Sequence, residues 1–237
     1  MASLLLKGIS AAITCDGDDH LYQDVDILCR DGVITAMGPS LAEEADEVLD
    51  CRHLLCYPGL VNTHHHLYQV FSRNLPQVQN LELFDWLRAL YEIWKGLDRE
   101  AVRLSSLAAM GEMMKFGCTT CFDHHYVFPA GAGDLIGAQF EAADQLGIRM
   151  VCSRGSMDLS RKDGGLPPDS VVQTVDEIMA DSRRVIETYH DPAPGSRRQI
   201  VPASFPTRWP GDAGRWRSAG GCPSSPRRHC TVLPGRR

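Results

Sequence analysis

The chain is short of several things, and each shortage closes off a class of function. No apolar run approaches the roughly 20 residues a bilayer-spanning helix requires, so no membrane partner is expected. The start, Met-Ala-Ser-Leu-Leu-Leu-Lys-Gly, lacks a basic segment and a long apolar core, which argues against a secretory signal and for a cytoplasmic location. Positive charge is in deficit. With 24 Lys and Arg against 30 Asp and Glu, the net charge of −6 offers no general attraction to nucleic acid or anionic lipid. The nine cysteines are odd in number and irregular in spacing, which does not make a disulfide framework in a reduced compartment. Cys118 and Cys121 form a Cys-x-x-Cys pair with no second pair to complete a zinc set, so they read as small apolar fillers at the start of a strand.

What is present changes period along the chain. Residues 1–57 read as β structure: Asp24–Cys29 alternates apolar and polar, Asp31-Gly32 supplies a hairpin turn, and Val33–Met37 returns. A second short pairing is expected between Val48-Leu49 and Leu54–Tyr57. From Pro58 the pattern alternates strand and helix. Pro58–Thr63 reads as a buried strand, and Leu81, Phe84, Leu87, Leu90 and Tyr91 recur at helical spacing. Asp98 is placed to cap a second helix ending near Gly117, followed by a strand over Thr119–Asp123. Leu135–Leu146 is a helix closed by Gly147, Ile148–Ser153 a strand, Ser170–Tyr189 a helix, and Gln199–Val201 the start of another strand. Such alternation implies an α/β fold with a parallel sheet and right-handed crossovers over residues 58–201.

After residue 201 the patterning stops. Residues 202–237 hold six Pro, five Gly and seven Arg, with too little apolar surface to offset the entropy of ordering them. A basic arm for nucleic acid is one reading of this tail. The preferred one is a truncated or frameshifted reading frame, because Arg, Pro, Gly and Ala are what an out-of-frame GC-rich gene encodes.

The most informative segment is Pro58-Gly-Leu-Val-Asn-Thr-His-His-His-Leu-Tyr-Gln69. On an extended strand, residues two apart share a face, so His64 and His66 converge while His65 turns away. Two converging neutral imidazoles are half of a first-row metal site. A surface histidine cluster would not need the Pro-Gly and apolar strand that lead into this one.

This segment resembles the opening motif of the amidohydrolase superfamily, in its nucleobase and triazine deaminase branch. Gly117–Tyr126 and Ser153–Met157 are similar to the corresponding stretches of 8-oxoguanine deaminases and hydroxyatrazine-hydrolyzing relatives, and the likeness covers approximately residues 3–201. It implies the N-terminal part of a distorted (β/α)8 TIM-like barrel, preceded by a small β-sandwich segment and left incomplete. The resemblance further implies one divalent metal, zinc first and iron second, held by His64 and His66. Two more histidines and an Asp from later strands, with a Glu as proton shuttle, would complete such a site. Gln69, Arg154 and His125 are the expected contacts to a planar heterocyclic substrate, since residues at the C-terminal ends of barrel strands line the site. Tyr68 and Phe71 are open between a ring-stacking wall and the core, and Arg154 between a substrate oxygen and a neighbouring acid. The implied reaction is deamination of an oxidised purine by a metal-bound hydroxide. An s-triazine amino- or chlorohydrolase and an inactive fragment are the alternatives. Full-length members are expected to be homo-oligomers. Past Tyr126 the remaining histidines are His190 and His229, and neither sits in a strand followed by a suitable acid, so the expected catalytic Glu and Asp have no candidates here.

Overall fold

The computed structural model describes residues 2–193 and 196–202, so the Pro/Gly/Arg-rich tail and His229 lie outside the described residues. Two compact units divide at Gly59 and Leu60.

The first unit is one five-stranded sheet: β1 (Ser3–Ile13), β2 (Leu21–Arg30), β3 (Val33–Gly38), β4 (Glu47–Asp50) and β5 (Leu55–Cys56). β2 and β3 form the expected hairpin, with Arg30 opposite Val33. Its two-residue turn places both Asp31 (φ 51°) and Gly32 (φ 80°) in the left-handed region, which matches the twist of paired strands. The second pairing is different from that expected. β4 and β5 do not pair with each other; both run parallel to β1, β4 along Leu4–Lys7 and β5 along Ala11-Ala12. The chain between them never reverses. Cys51 N–H donates to Lys7 O (2.8 Å) and Ser10 N–H to Leu54 O (3.1 Å), so the segment keeps following the β1 edge. Ile9, Ala12, Val25, Ile27 and Cys51 form the core of this unit.

The second unit alternates β6 (Leu60–His65), α1 (Leu83–Trp94), α2 (Arg99–Lys115), β7 (Cys118–His125), α3 (Leu135–Leu146), β8 (Arg149–Arg154), α4 (Val175–Tyr189) and β9 (Arg198–Pro202). The four strands lie side by side in sequence order and are parallel throughout, the pattern a (β/α)8 barrel repeats. Among the described residues the sheet is open.

Local chemistry sets the helix ends. Asp98 accepts the Ala101 N–H (2.8 Å) at the start of α2, and Asp134 accepts the Gly137 N–H (3.0 Å) at the start of α3. Gly147 closes α3 at φ 77°, a conformation costly for a residue with a side chain. The helix expected from Ser170 begins at Val175 instead, because Thr174 and Glu177 form a reciprocal capping box that fixes its start; Asp169–Val171 is a separate 3-10 turn.

Phe140, Ile148, Met150, Cys152, Val185 and Ile200 pack between the sheet and its helices. Tyr68, Leu87, Leu90, Tyr91, Trp94 and Tyr126 form a second cluster. Trp94 N–H donates to Ser72 Oγ (3.1 Å), tying α1 to the turn that follows the three histidines. Cys118, Cys121 and Cys152 are buried and unbridged, and burial pushes the Cys121 thiol up to about 12. β6 is not the buried strand expected: Leu60 is 52% exposed, because β6 pairs only with β7 and forms an edge of the described sheet. No described helix is long and apolar enough to cross a membrane.

Candidate metal centre

β6 ends on His64 and His65, and His66 follows directly, past a register shift between Asn62 and His65. The His64 and His66 rings approach to 5.2 Å between centroids at nearly a right angle. His65 instead lies in register with Asp123 on β7. At His66 (φ −135°, ψ 86°) the chain leaves the strand and enters a 3-10 turn, Leu67–Ser72.

The end of β7 holds that exit. His66 Nδ1 lies 2.8 Å from the carbonyl oxygen of His124. A carbonyl only accepts, so Nδ1 carries the proton and Nε2 keeps its lone pair, the tautomer a metal ligand needs. Burial, with repulsion from His64, lowers the His66 pKa against the opposing pull of that carbonyl, which keeps the ring neutral. His124 is lowered further, to about 4, by burial and by the neighbouring His66 and His64.

Strand alternation divides the remaining candidates between two faces. Asp123 and His125 point toward α3. Gln139 Nε2 donates to Asp123 Oδ2 (2.6 Å) and lies 3.4 Å from His125 Nδ1, while Cys152 Sγ donates to Gln139 Oε1 (2.9 Å). Burial raises the Asp123 carboxyl to about 7, opposed by hydrogen bonds from Leu67 and Gln139. Arg154, in register with His125, points the same way. Its Nε donates to Asp181 Oδ2 (2.6 Å), its Nη2 to Gln173 Oε1 (2.7 Å) and its Nη1 to Gly155 O. The guanidinium carbon sits 3.9 Å from the centre of the Phe128 ring.

Two of the expected substrate contacts are therefore turned toward the helices. His125 and Arg154 are both fully buried. For Arg154 the structure provides the neighbouring acid, Asp181. The opposite face carries His124, in register with Ser153. The His124 ring is 5.5 Å from His66, and Tyr126 lies 5.3 Å from each of them. Counting by twos from the apolar Cys121 would have assigned these faces: 121, 123 and 125 on one, 122 and 124 on the other.

Gln69 sits in the turn beside the pair, its N–H on His66 O (3.0 Å). Its side-chain amide donates to the Tyr126 hydroxyl (3.3 Å) and reaches that of Tyr68 (3.4 Å). Tyr68 is a core residue at 1% exposure, whereas Phe71 is 59% exposed. His190 caps α4, its backbone N–H donating to Ile186 O (3.0 Å), and accepts the Ile200 N–H (3.2 Å) through Nδ1, a tie between helix and strand.

As donors, His64 and His66 suit a first-row metal: two imidazoles side by side, one with its tautomer fixed by its partner. Among the described residues, no group of three or more His, Cys, Asp or Glu is placed to hold a metal ion. With that geometry in view, residues 55–200 match the family model described as "Amidohydrolase family".

The chain belongs to the amidohydrolase family.

Two curated relatives indicate where this amidohydrolase falls. It is 37% identical over 216 residues to hydroxydechloroatrazine ethylaminohydrolase of Pseudomonas sp. (strain ADP), covering 86% of this chain and 45% of the relative. It is 42% identical over 178 residues to 8-oxoguanine deaminase of Pseudomonas aeruginosa, covering 74% of this chain and 40% of that enzyme. Among solved structures, the atrazine chlorohydrolase of Arthrobacter aurescens TC1 complexed with zinc superposes with a TM-score of 0.79 at 31% identity, over 85% of this chain and 46% of that one. The amidohydrolase chain thus spans less than half the length of the relatives it matches.

Proposed function

We propose that this chain contributes His64 and His66 to a divalent metal centre that hydrolytically deaminates an oxidised purine of the 8-oxoguanine type. The observation that carries the reading is the side-by-side histidine pair with the His66 tautomer held by His124 O. His64 and His66 would hold a divalent metal there, which would supply activation of water at neutral pH. Zinc is the first choice for such a centre and iron(II) the second.

The chain's own groups prepare that reaction in three ways. His66 presents Nε2 in a fixed direction, so no reorientation is needed when the metal arrives. Gln69 offers its amide oxygen to a donor on the edge of a nucleobase, its amide nitrogen held by the Tyr126 and Tyr68 hydroxyls. His125 and Arg154 act from behind the strands, anchoring the ends of β7 and β8 to α3 and α4. Proton delivery to the departing amine needs a general acid, and none of these residues is assigned that role.

The choice of purine rests on the identity to 8-oxoguanine deaminase. An s-triazine amino- or chlorohydrolase is the second reading, favoured by the longer match to the ethylaminohydrolase and by the triazine hydrolase fold. The test incubates the full chain, loaded with zinc or iron(II), with 8-oxoguanine and with hydroxylated and chlorinated triazines, and follows ammonia, alkylamine and chloride release. Ammonia from 8-oxoguanine at the higher kcat/KM supports the proposal. Faster alkylamine or chloride release favours the triazine reading. No turnover together with no metal retention leaves the chain an inactive piece of an amidohydrolase.

A further inference from the structure

Asp123 is a buried carboxylate that the proposed chemistry leaves unused. It lies within β7 at 0% exposure, where a carboxylate costs several kcal/mol unless hydrogen bonds compensate it. The compensation comes from two sources. Oδ2 accepts from Gln139 of α3 and Oδ1 accepts from the backbone N–H of Leu67, each at 2.6 Å.

The second bond matters because of where Leu67 stands. It follows His66 directly and is the first residue of the 3-10 turn, so its N–H belongs to the donors that a helix start leaves without an internal partner. A residue at the cap position often supplies the acceptor from its own side chain. His66 holds that position and makes no such bond, because its ring donates to His124 O instead. Asp123 supplies the missing cap from a strand 56 residues away. Adjacent positions on β7 thus grip adjacent positions on the other chain segment: Asp123 the Leu67 amide, His124 O the His66 ring. Gln139 is in turn oriented by Cys152 Sγ (2.9 Å).

We propose that Asp123 is a positioning residue of the metal centre: by capping the turn after His66, it fixes the direction in which His66 presents Nε2. The proposal rests on the reading of His64 and His66 as metal ligands. The bond to Leu67 is independent of any metal, so the two are tested separately.

The experiment compares the full chain with Asp123→Leu, Asp123→Asn and, as a stability control on another element of the same core, Val185→Ala, whose residue is buried in α4. In the metal-free protein, two-bond proton–nitrogen correlation reads the His66 tautomer and hydrogen exchange reads the Leu67 amide. With zinc, competition against a chromogenic chelator reads affinity. The expected result is a single Nδ1–H tautomer in the parent chain, and in Asp123→Leu a tautomer mixture with Leu67 exchange faster by about tenfold or more. Zinc affinity falls by about 10–100-fold, as for other groups that orient a ligand. Asp123→Asn retains an acceptor for Leu67 and recovers most of that loss. Val185→Ala lowers stability and leaves zinc affinity unchanged. The proposal is overturned if Asp123→Leu keeps parental exchange and tautomer, if Asp123→Asn falls as far as Asp123→Leu, or if Val185→Ala loses zinc equally. Should Asp123→Leu fail to fold, Gln139→Met removes the donor behind Asp123, with the acceptor of Cys152, and leaves the Asp123 carboxylate in place; a smaller loosening of the same Leu67 amide supports the proposal and parental exchange refutes it. Zinc affinity unchanged in both His64→Ala and His66→Ala removes the metal reading and the positioning role with it, while the metal-free arm still reports on the Leu67 cap.

Discussion

The two faces of β7 and β8 are built from neighbouring residues yet are finished to different degrees. Toward the helices, Asp123, Cys152 and Arg154 are buried and hydrogen-bonded to Gln139, Gln173 and Asp181, all within residues 123–181. On the opposite face, His124 stands with His66 and Tyr126, beside a His64 that is exposed. The helix face holds the strands together. The other face carries the imidazoles proposed as metal donors, with no group of three or more possible ligands among the described residues. On the proposed function, stability and chemistry fall on opposite sides of the same strands, and substitutions on the two sides should fail differently.

The largest effect is expected on the helix face. Arg154→Ala breaks an ion pair whose arginine is fully buried, and should destabilise the chain by about 3 kcal/mol in urea unfolding. Asp181 retains Arg184 as a partner, which keeps the cost at the lower end of the range for buried pairs. A loss under about 1 kcal/mol would show that this face does not carry the sheet. Next in size is the metal side. His66→Ala or His64→Ala should weaken zinc binding by more than about 100-fold, beyond the effect of losing an orienting partner. Urea unfolding of the metal-free His64→Ala variant should stay within about 0.5 kcal/mol of the parent, as for an exposed position. If that variant unfolds as readily as Arg154→Ala, the separation of the two faces is lost. Thr174→Ala removes the capping box of α4, the helix that supplies Asp181, and should cost about 1 kcal/mol in the same assay with no change in zinc affinity. The smallest effect belongs to His65→Ala. Its ring lies in register with Asp123 and away from its neighbours, so zinc affinity should change by less than about threefold, against the losses expected for true ligands. A loss equal to that of His64→Ala would overturn the assignment of faces.

Much of this was legible in the chain because local rules decide it. The hairpin at Asp31-Gly32, the Asp98 cap, the Leu135–Leu146 helix and its Gly147 terminus all depend on a few adjacent residues. The approach of His64 and His66 is what strand alternation predicts, although β6 ends at His65 and its pairing with β7 shifts register between Asn62 and His65. Other features depend on partners far along the chain. β4 and β5 both lie along β1 because β1 offers a free edge, which no pattern in residues 47–56 announces. His125 and Arg154 were expected at the substrate because they sit where barrel strands end, but the positions of Gln139, Asp181 and Gln173 in space reveal which way they point. Asp123 escaped notice for the same reason: a lone acid in an apolar strand has no visible role until Leu67 and Gln139 are seen against it.

The sequence by itself determined the elements, the alternation of strand and helix, and the pair of histidines, because each is fixed by periodicity and capping within one or two turns of chain. The tertiary structure decided the His66 tautomer, the capping of its turn by Asp123, and the turning of Arg154 toward Asp181. Each of these is a hydrogen bond or ion pair between residues 27 to 58 positions apart, and such partners are chosen by packing, not by local pattern.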